Sequence, residues 1–320
     1  MSDARRFCGA RGRVGGLALS CAVGRDRTAV GRLSRNATYQ ALRPEQIPIC
    51  FLDRNQSRWR QDDQHFARYW KPMPFGICKL CLQAKDLQNS HLMPRALYVK
   101  ARGSGSAGNQ DPFVMTREGG KQSSYQTKEY VLCCECEDRM NRNGERYVMG
   151  LVTKRNGRFP LLEALSSVKP TLKGHIWEMY SAVHTPSVDR SQLAYFAISI
   201  FWRASVHTWV QEDGEQIRLD LGDRYNEEIR KYLMGESPVP TNAYLQLTVC
   251  SDFLNQRSFF FPQENEKLHN RAVGFVARGL TFFFRVSNTL TVPERRLSMV
   301  NDPNGWITVR DCQKNPVWRL

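Results

Sequence analysis

The sequence predicts an α+β protein in two structured parts: a small metal-stapled module, then an α+β domain with one long buried helix and a small antiparallel sheet. Three observations predict it. Two Cys-x-x-Cys pairs, Cys78/Cys81 and Cys133/Cys136, bracket the segment Ser90-His91-Leu92-Met93-Pro94. Residues 191–210 place apolar side chains at helical spacing. Beyond residue 244 the chain turns to short runs rich in Phe and Val, which suit strands.

Taken in order, residues 1–72 hold 14 Lys/Arg, 13 of them Arg, against 6 Asp/Glu. They show no sustained periodicity apart from a short helix expected near Asp62 to Trp70. Two readings of this basic extension are open: a nucleic-acid-binding arm, or a disordered tail with no selected role. Met73 lies five residues before Cys78, where structured-looking sequence begins, so translation is expected to start there. A zinc module is expected over 73–150. It opens with the Ile77–Cys81 knuckle, a strand at Asp86–His91 and helical turns at Arg95–Lys100. Residues 101–128 read as a flexible excursion, with linker-like Gly103–Asn109 and a Gly119-Gly120 turn. A strand at Tyr130–Leu132 then runs into Cys133, and a helix is expected over Glu137–Val148, weakened by Gly144.

The domain over 151–320, of unknown role, begins with a mixed stretch at 156–186. The helix Ser191–Val210 follows, with Ser191 as its cap and Leu193, Phe196, Ala197, Ile200, Ala204 and His207 on one face. Asn226–Met234 is a shorter helix ended by Gly235. Strands are expected at Tyr244–Val249, Ser258–Phe261, Val273–Arg278, Leu280–Val286 and Trp306–Arg310.

The net charge of +15 over 320 residues favours a polyanionic partner, nucleic acid and DNA first, but says nothing about fold. The longest apolar run, Leu193 to Trp202, is half a membrane span and meets Arg203. Leu17 to Val23 is short for a signal-peptide core and lacks a cleavage site. The expectation is therefore a soluble, cytoplasmic protein with no membrane partner. Of the ten cysteines, four form the two pairs and the rest make no framework, which suits metal binding in a reducing compartment.

Four thiolates in two knuckles can close a tetrahedral zinc shell, with Zn–S near 2.3 Å. Two knuckles joined by a hairpin and followed by a helix make a treble-clef-like scaffold. The second knuckle sits at the helix N-terminus, where the dipole lowers thiol pKa. Cys133 to Cys136 suits that place. Cys134 is an alternative ligand with poorer spacing to Cys136.

Cys78-x-x-Cys81, then Leu87-x-x-Ser90-His91-x-x-Pro94, then Leu132-Cys133-x-x-Cys136-Glu137 together resemble the zinc-ribbon form of HNH endonucleases over roughly residues 76–148. The resemblance implies a ββα-metal fold that hydrolyses phosphodiesters with a histidine base and one divalent cation. His91 matches the base. Ser90 stands where the family usually has an Asp or His ligand. Glu137 and Asn141, four apart on one helix face, stand where its helix supplies ligands. Oxygen donors of this kind imply magnesium or manganese. The chain departs from the family pattern at Ser90. It also lacks the central asparagine, since Lys128 and Glu129 occupy that stretch, and its connection from His91 to Cys133 is long.

The residues also carry blander readings. His91 before a proline region suits a structural hydrogen bond or a zinc ligand in place of a cysteine. Glu137 suits a helix-start charge, and Asn141 suits a solvated position. Arg95, Lys100, Arg102, Arg139, Arg142 and Arg146 suit phosphate contacts or a solvated face. Arg203 suits a partnered core charge or a site residue. The expected function is DNA hydrolysis of the HNH type. The alternative is a zinc-stabilised nucleic-acid-binding or partner-binding protein without catalysis.

Overall fold

Leu87 to His91 shows why this chain begins its order with a hairpin. Alternate residues of that strand turn inward, Leu87 and Ser90 being buried around a bulge after Gln88. A computed structural model describes residues 73–102, 111–115, 119–154, 156–251, 256, 258–264 and 272–311. All of them belong to one compact unit spanning Leu52–Leu320. The expectations for residues 1–72, including the basic arm, the short helix and the start at Met73, lie outside the described residues. So does the Gly103–Asn109 linker.

The first sheet has three strands, β1 (Phe75–Ile77), β2 (Ala84–His91) and β5 (Lys128–Cys133), all antiparallel in the order β1-β2-β5. Helix α1 (Arg95–Ala101) follows β2 after Pro94, whose ring cannot sit inside a helix. Helix α2 (Cys134–Met140) grows directly out of β5, with Cys133 as its N-cap. The helix then passes through a π turn, Asn141–Glu145, and resumes as α3 (Arg146–Leu151). The expected helix over Glu137–Val148 is thus longer at both ends and interrupted at Gly144.

The large sheet corrects the expected small antiparallel one. It has nine strands in the order β4-β3-β11-β12-β13-β10-β14-β7-β6. Those after residue 170 are β6 (Leu172–Lys173), β7 (Trp177–Tyr180), β10 (Ala243–Cys250), β11 (Ser258–Glu264), β12 (Val273–Ala277), β13 (Leu280–Val286) and β14 (Ile307–Arg310). Two pairings are parallel, β10 with β14 and β11 with β3. Strands β3 (Phe113–Met115) and β4 (Gly120–Gln122) come from the expected excursion at 101–128. They pair with each other, and β3 extends the sheet at β11. Strands from either side of residue 150 therefore share one sheet. The central runs β12 and β13 are buried at every position, which is why they read as continuous apolar stretches.

Helix α4 (Pro160–Ser166) precedes β6, and α5 (Arg190–Val206) lies against the sheet. Phe196 and Phe201 of α5 meet Phe275, Phe282 and Phe284 at centroid distances of 5.0–6.0 Å. Its other sides are covered too. The π turn packs at Phe196, and α6 (Asp223–Met234) takes hydrogen bonds from Tyr195 and Trp202. A helix covered on all sides is apolar on all sides.

Asp189, not Ser191, caps α5. Its Oδ1 accepts from the Ser191 and Gln192 amides at 2.9 and 3.1 Å. The helix also ends at Val206, because Trp209–Val210 (β8) pairs with Gln216–Ile217 (β9). A last short helix, α7 (Val292–Leu297), opens with a Thr291/Glu294 capping box. Among the described residues, no helix is long and apolar enough to cross a membrane.

Candidate functional site

The β1–β2 turn carries Cys78 and Cys81, while the end of β5 and the first turn of α2 carry Cys133 and Cys136. The turn is held by Cys78 N donating to Gln83 O (2.9 Å) and Lys79 N to Val131 O (3.1 Å). Pairing of β2 with β5 brings the two knuckles together, and the four Sγ atoms lie within 4.8 Å of one another. Cys81 and Cys133 Sγ are 3.9 Å apart, against about 3.8 Å for two sulfurs on one tetrahedral zinc. Cys134 is not among the four.

Crowded sulfurs cannot all ionise without a cation between them. The hydrogen bond from Cys136 pulls the Cys78 thiol down to about 4. The same contact pushes Cys136 up, and burial pushes Cys133 up to about 12. One thiolate is thus supported by its neighbours' protons. A dication would replace those protons, so the donor set fits zinc.

His91 ends β2 and is half buried. Leu92 N–H donates to Thr127 O at 3.1 Å, and His91 pairs across the ladder with Lys128. Its carbonyl accepts from Arg203 Nη1 at 3.2 Å, and its Nε2 lies 2.8 Å from Gln126 Oε1. Burial lowers the imidazole pKa. The Gln126 contact opposes this, and the cations Lys128, Arg203 and Arg95 lower it further. Lys128 and Arg95 are exposed. His91 is not one of the four clustered metal-ligating residues.

Ser90 points the opposite way from His91, into the interior, where its Oγ accepts from Leu132 N at 3.2 Å. Glu137 meets it there. The Glu137 Oε1 is buried without a hydrogen-bond partner. Burial raises the Glu137 pKa, Arg203 opposes that rise, and Glu145 adds to it. Ser90 and Glu137 are thus brought together around Arg203. Among the described residues, the Asn141 side chain makes no hydrogen bond to either, nor does Glu137 to His91.

Arg203 is fully buried on α5. It pairs with Glu145 of the π turn, donates to Met140 Sδ at 2.9 and 3.1 Å, and holds the His91 carbonyl. Of the arginines on the helix that carries Cys136 and its continuation, Arg139 donates to Met234 O at 3.1 Å and Arg142 pairs with Asp138 at 3.0 Å. Those two are committed within the protein, and Arg146 is exposed.

Sequence reasoning missed Gln126, Glu145 and the cross-strand place of Lys128. Gln126 lies in an irregular polar stretch without periodicity. The Lys128 pairing depends on the bulge after Gln88, which sets the register.

Fold and site together define an α+β protein with a four-cysteine cluster at one end of the β2–β5 pair and a cation-flanked histidine at the other. No protein-family model, no curated protein and no solved structure matches this chain.

Proposed function

We propose that this protein is a metal-dependent endonuclease of the HNH type that hydrolyses phosphodiester bonds in DNA, with His91 as general base. In this reading β2, β5 and α2 form a ββα-metal unit, treble-clef-like around a structural zinc on Cys78, Cys81, Cys133 and Cys136. The observation that carries the reading is the setting of His91. Its imidazole is half buried, with burial lowering its pKa, and it is paired across the ladder with Lys128 and close to Arg95. A neutral imidazole accepts a proton, and two exposed cations suit a phosphate.

His91 takes a proton from water, and the hydroxide adds to phosphorus. The bond from phosphorus to one sugar oxygen breaks, and that oxygen leaves with a proton from solvent. The resemblance would give a magnesium or manganese ion to Ser90, Glu137 and Asn141, but these residues do not fit one beside His91: Ser90 and Glu137 are buried on the opposite face of β2 around the Arg203 cation, and Asn141 joins neither.

A second reading, a zinc-stabilised nucleic-acid-binding or partner-binding protein without catalysis, draws on Ser90. That hydroxyl is neutral, buried and already engaged by the Leu132 amide.

Plasmid nicking with magnesium or manganese decides between them. Wild type is expected to nick, and His91→Ala to lose about 10²–10⁴-fold in rate at unchanged zinc content. The working form of His91 is the deprotonated one. The rate should therefore rise with pH through an apparent pKa below about 6.5 and then level. No nicking of DNA or RNA by wild type, or equal nicking by His91→Ala, would establish the second reading instead.

A further inference from the structure

We propose that Gln126 is a positioning residue for His91. Its Oε1 accepts a hydrogen bond from His91 Nε2–H, fixing one tautomer and leaving Nδ1 as the nitrogen that takes up a proton. The contact is 2.8 Å long and joins residues 35 apart in sequence. An amide oxygen only accepts, so the nitrogen facing it must carry the hydrogen. A neutral imidazole has one donor and one acceptor nitrogen, so the lone pair is then on Nδ1.

The surrounding backbone makes this contact a built one. Leu92 N–H donates to Thr127 O at 3.1 Å, one residue beyond each partner. The His91–Lys128 pair continues the same ladder. Arg203 Nη1 holds the His91 carbonyl from the α5 side. Those bonds place the main chain; the ring meets Tyr98 at a centroid distance of 6.4 Å, and Gln126 supplies its hydrogen bond, which fixes which nitrogen carries the proton.

The orientation follows from the contact, and its catalytic meaning rests on His91 being the base. In that role Nδ1 takes a proton from water while Nε2–H stays on Gln126. The hydroxide goes to phosphorus, and the imidazolium later returns its proton to solvent.

Nitrogen-15 spectra of the full-length, zinc-loaded protein with labelled histidine test the inference. The chain has six histidines, so His91 is assigned by its loss in His91→Gln. Wild type should show a protonated Nε2, an unprotonated Nδ1 and a ring N–H protected from exchange. Gln126→Ala should lose that protection at unchanged zinc content and melting temperature. Gln126→Glu, whose carboxylate oxygen also accepts, should keep it. An Nδ1–H tautomer in wild type, or a protected Nε2–H surviving in Gln126→Ala, overturns the proposal. In plasmid cleavage, Gln126→Ala should lower kcat by about 10²-fold with KM little changed, and Gln126→Glu should recover part of it. Equal kcat in Gln126→Ala and wild type overturns the positioning role. If wild type cleaves nothing, the nuclease reading falls, and the spectrum alone still decides whether Gln126 orients the ring.

Discussion

Arg203 shows what a single buried charge does in this protein. Its guanidinium reaches Glu145 on the π turn, Met140 on α2 and the carbonyl of His91 on β2. It also faces Glu137, whose carboxyl burial has pushed upward. Taking a guanidinium out of water is costly, and removing one partner of such a set costs more than removing both, because the survivor stays buried and unpaired. Arg203→Met should therefore destabilise the protein by about 3–5 kcal/mol, and Glu145→Gln should also be strongly destabilising. The double variant should cost less than the two singles added. Urea denaturation of all three, with zinc content checked, measures this. A loss below about 1 kcal/mol for Arg203→Met would reduce the residue to a bystander. The sequence marks Arg203 as odd, a charge inside an apolar helix. It does not name the partner, because Glu145 comes into reach only through the extra residue of the π turn.

That π turn is the element that ties the cysteine-cluster side of the chain to α5. Gly144 sits within it, and a Cβ there would lie 2.8 Å from the backbone nitrogen of Phe196. In an open helix, Gly→Ala gains roughly 0.5–1 kcal/mol from backbone entropy. Here the neighbour is helical backbone that cannot step aside, and overpacking costs about 1–3 kcal/mol. The clash outweighs the gain, so Gly144→Ala should lower the melting temperature. Gly150, on α3 with open space around its Cβ position, is the control, and Gly150→Ala should raise it. Thermal melts of the pair check the sign, and a stabilised Gly144→Ala would mean that α5 does not sit against the turn. Elements differ in how far sequence shows them. The cysteine knuckles are legible because Cys-x-x-Cys spacing is itself the geometry. The strand runs Val273–Ala277 and Leu280–Val286 are legible because burial on both faces makes them apolar throughout. The π turn has no periodic signature. Strands β3 and β4 are three residues each, too short for a periodic signal, and are held by pairing, β3 to β11 and β4 to β3. The α5 cap moved to Asp189 because Asp, like Ser, is a good cap and the helix reaches it first in the chain.

At the scale of the molecule, the question is whether the cysteine cluster staples a separable module or the whole compact unit. The contacts favour the whole. Arg230 of α6 donates to Leu80 O at 3.0 Å, beside Cys81. Arg139 of α2 donates back to Met234 O at the end of α6. Arg203 joins α5 to β2, and β3 with β4 carries chain from before residue 150 into the large sheet. Loss of the metal would unpin Cys78 and Cys81 from Cys133 and Cys136, and with them the start of α2 and the turn that feeds Glu145 to Arg203. Metal analysis should give about one zinc per chain, given one four-sulfur cluster among the described residues. Replacing Cys78 and Cys133 together with serine should abolish that zinc, because two of four ligands are gone. Calorimetry of the same variant should show one transition, displaced downward as a unit, because the buried Arg203 pair fails when the turn carrying Glu145 moves. Two transitions, the upper at the wild-type temperature, would show that residues 73–150 fold as an independent domain. Zinc retained at full stoichiometry would remove the four cysteines from the structural role altogether.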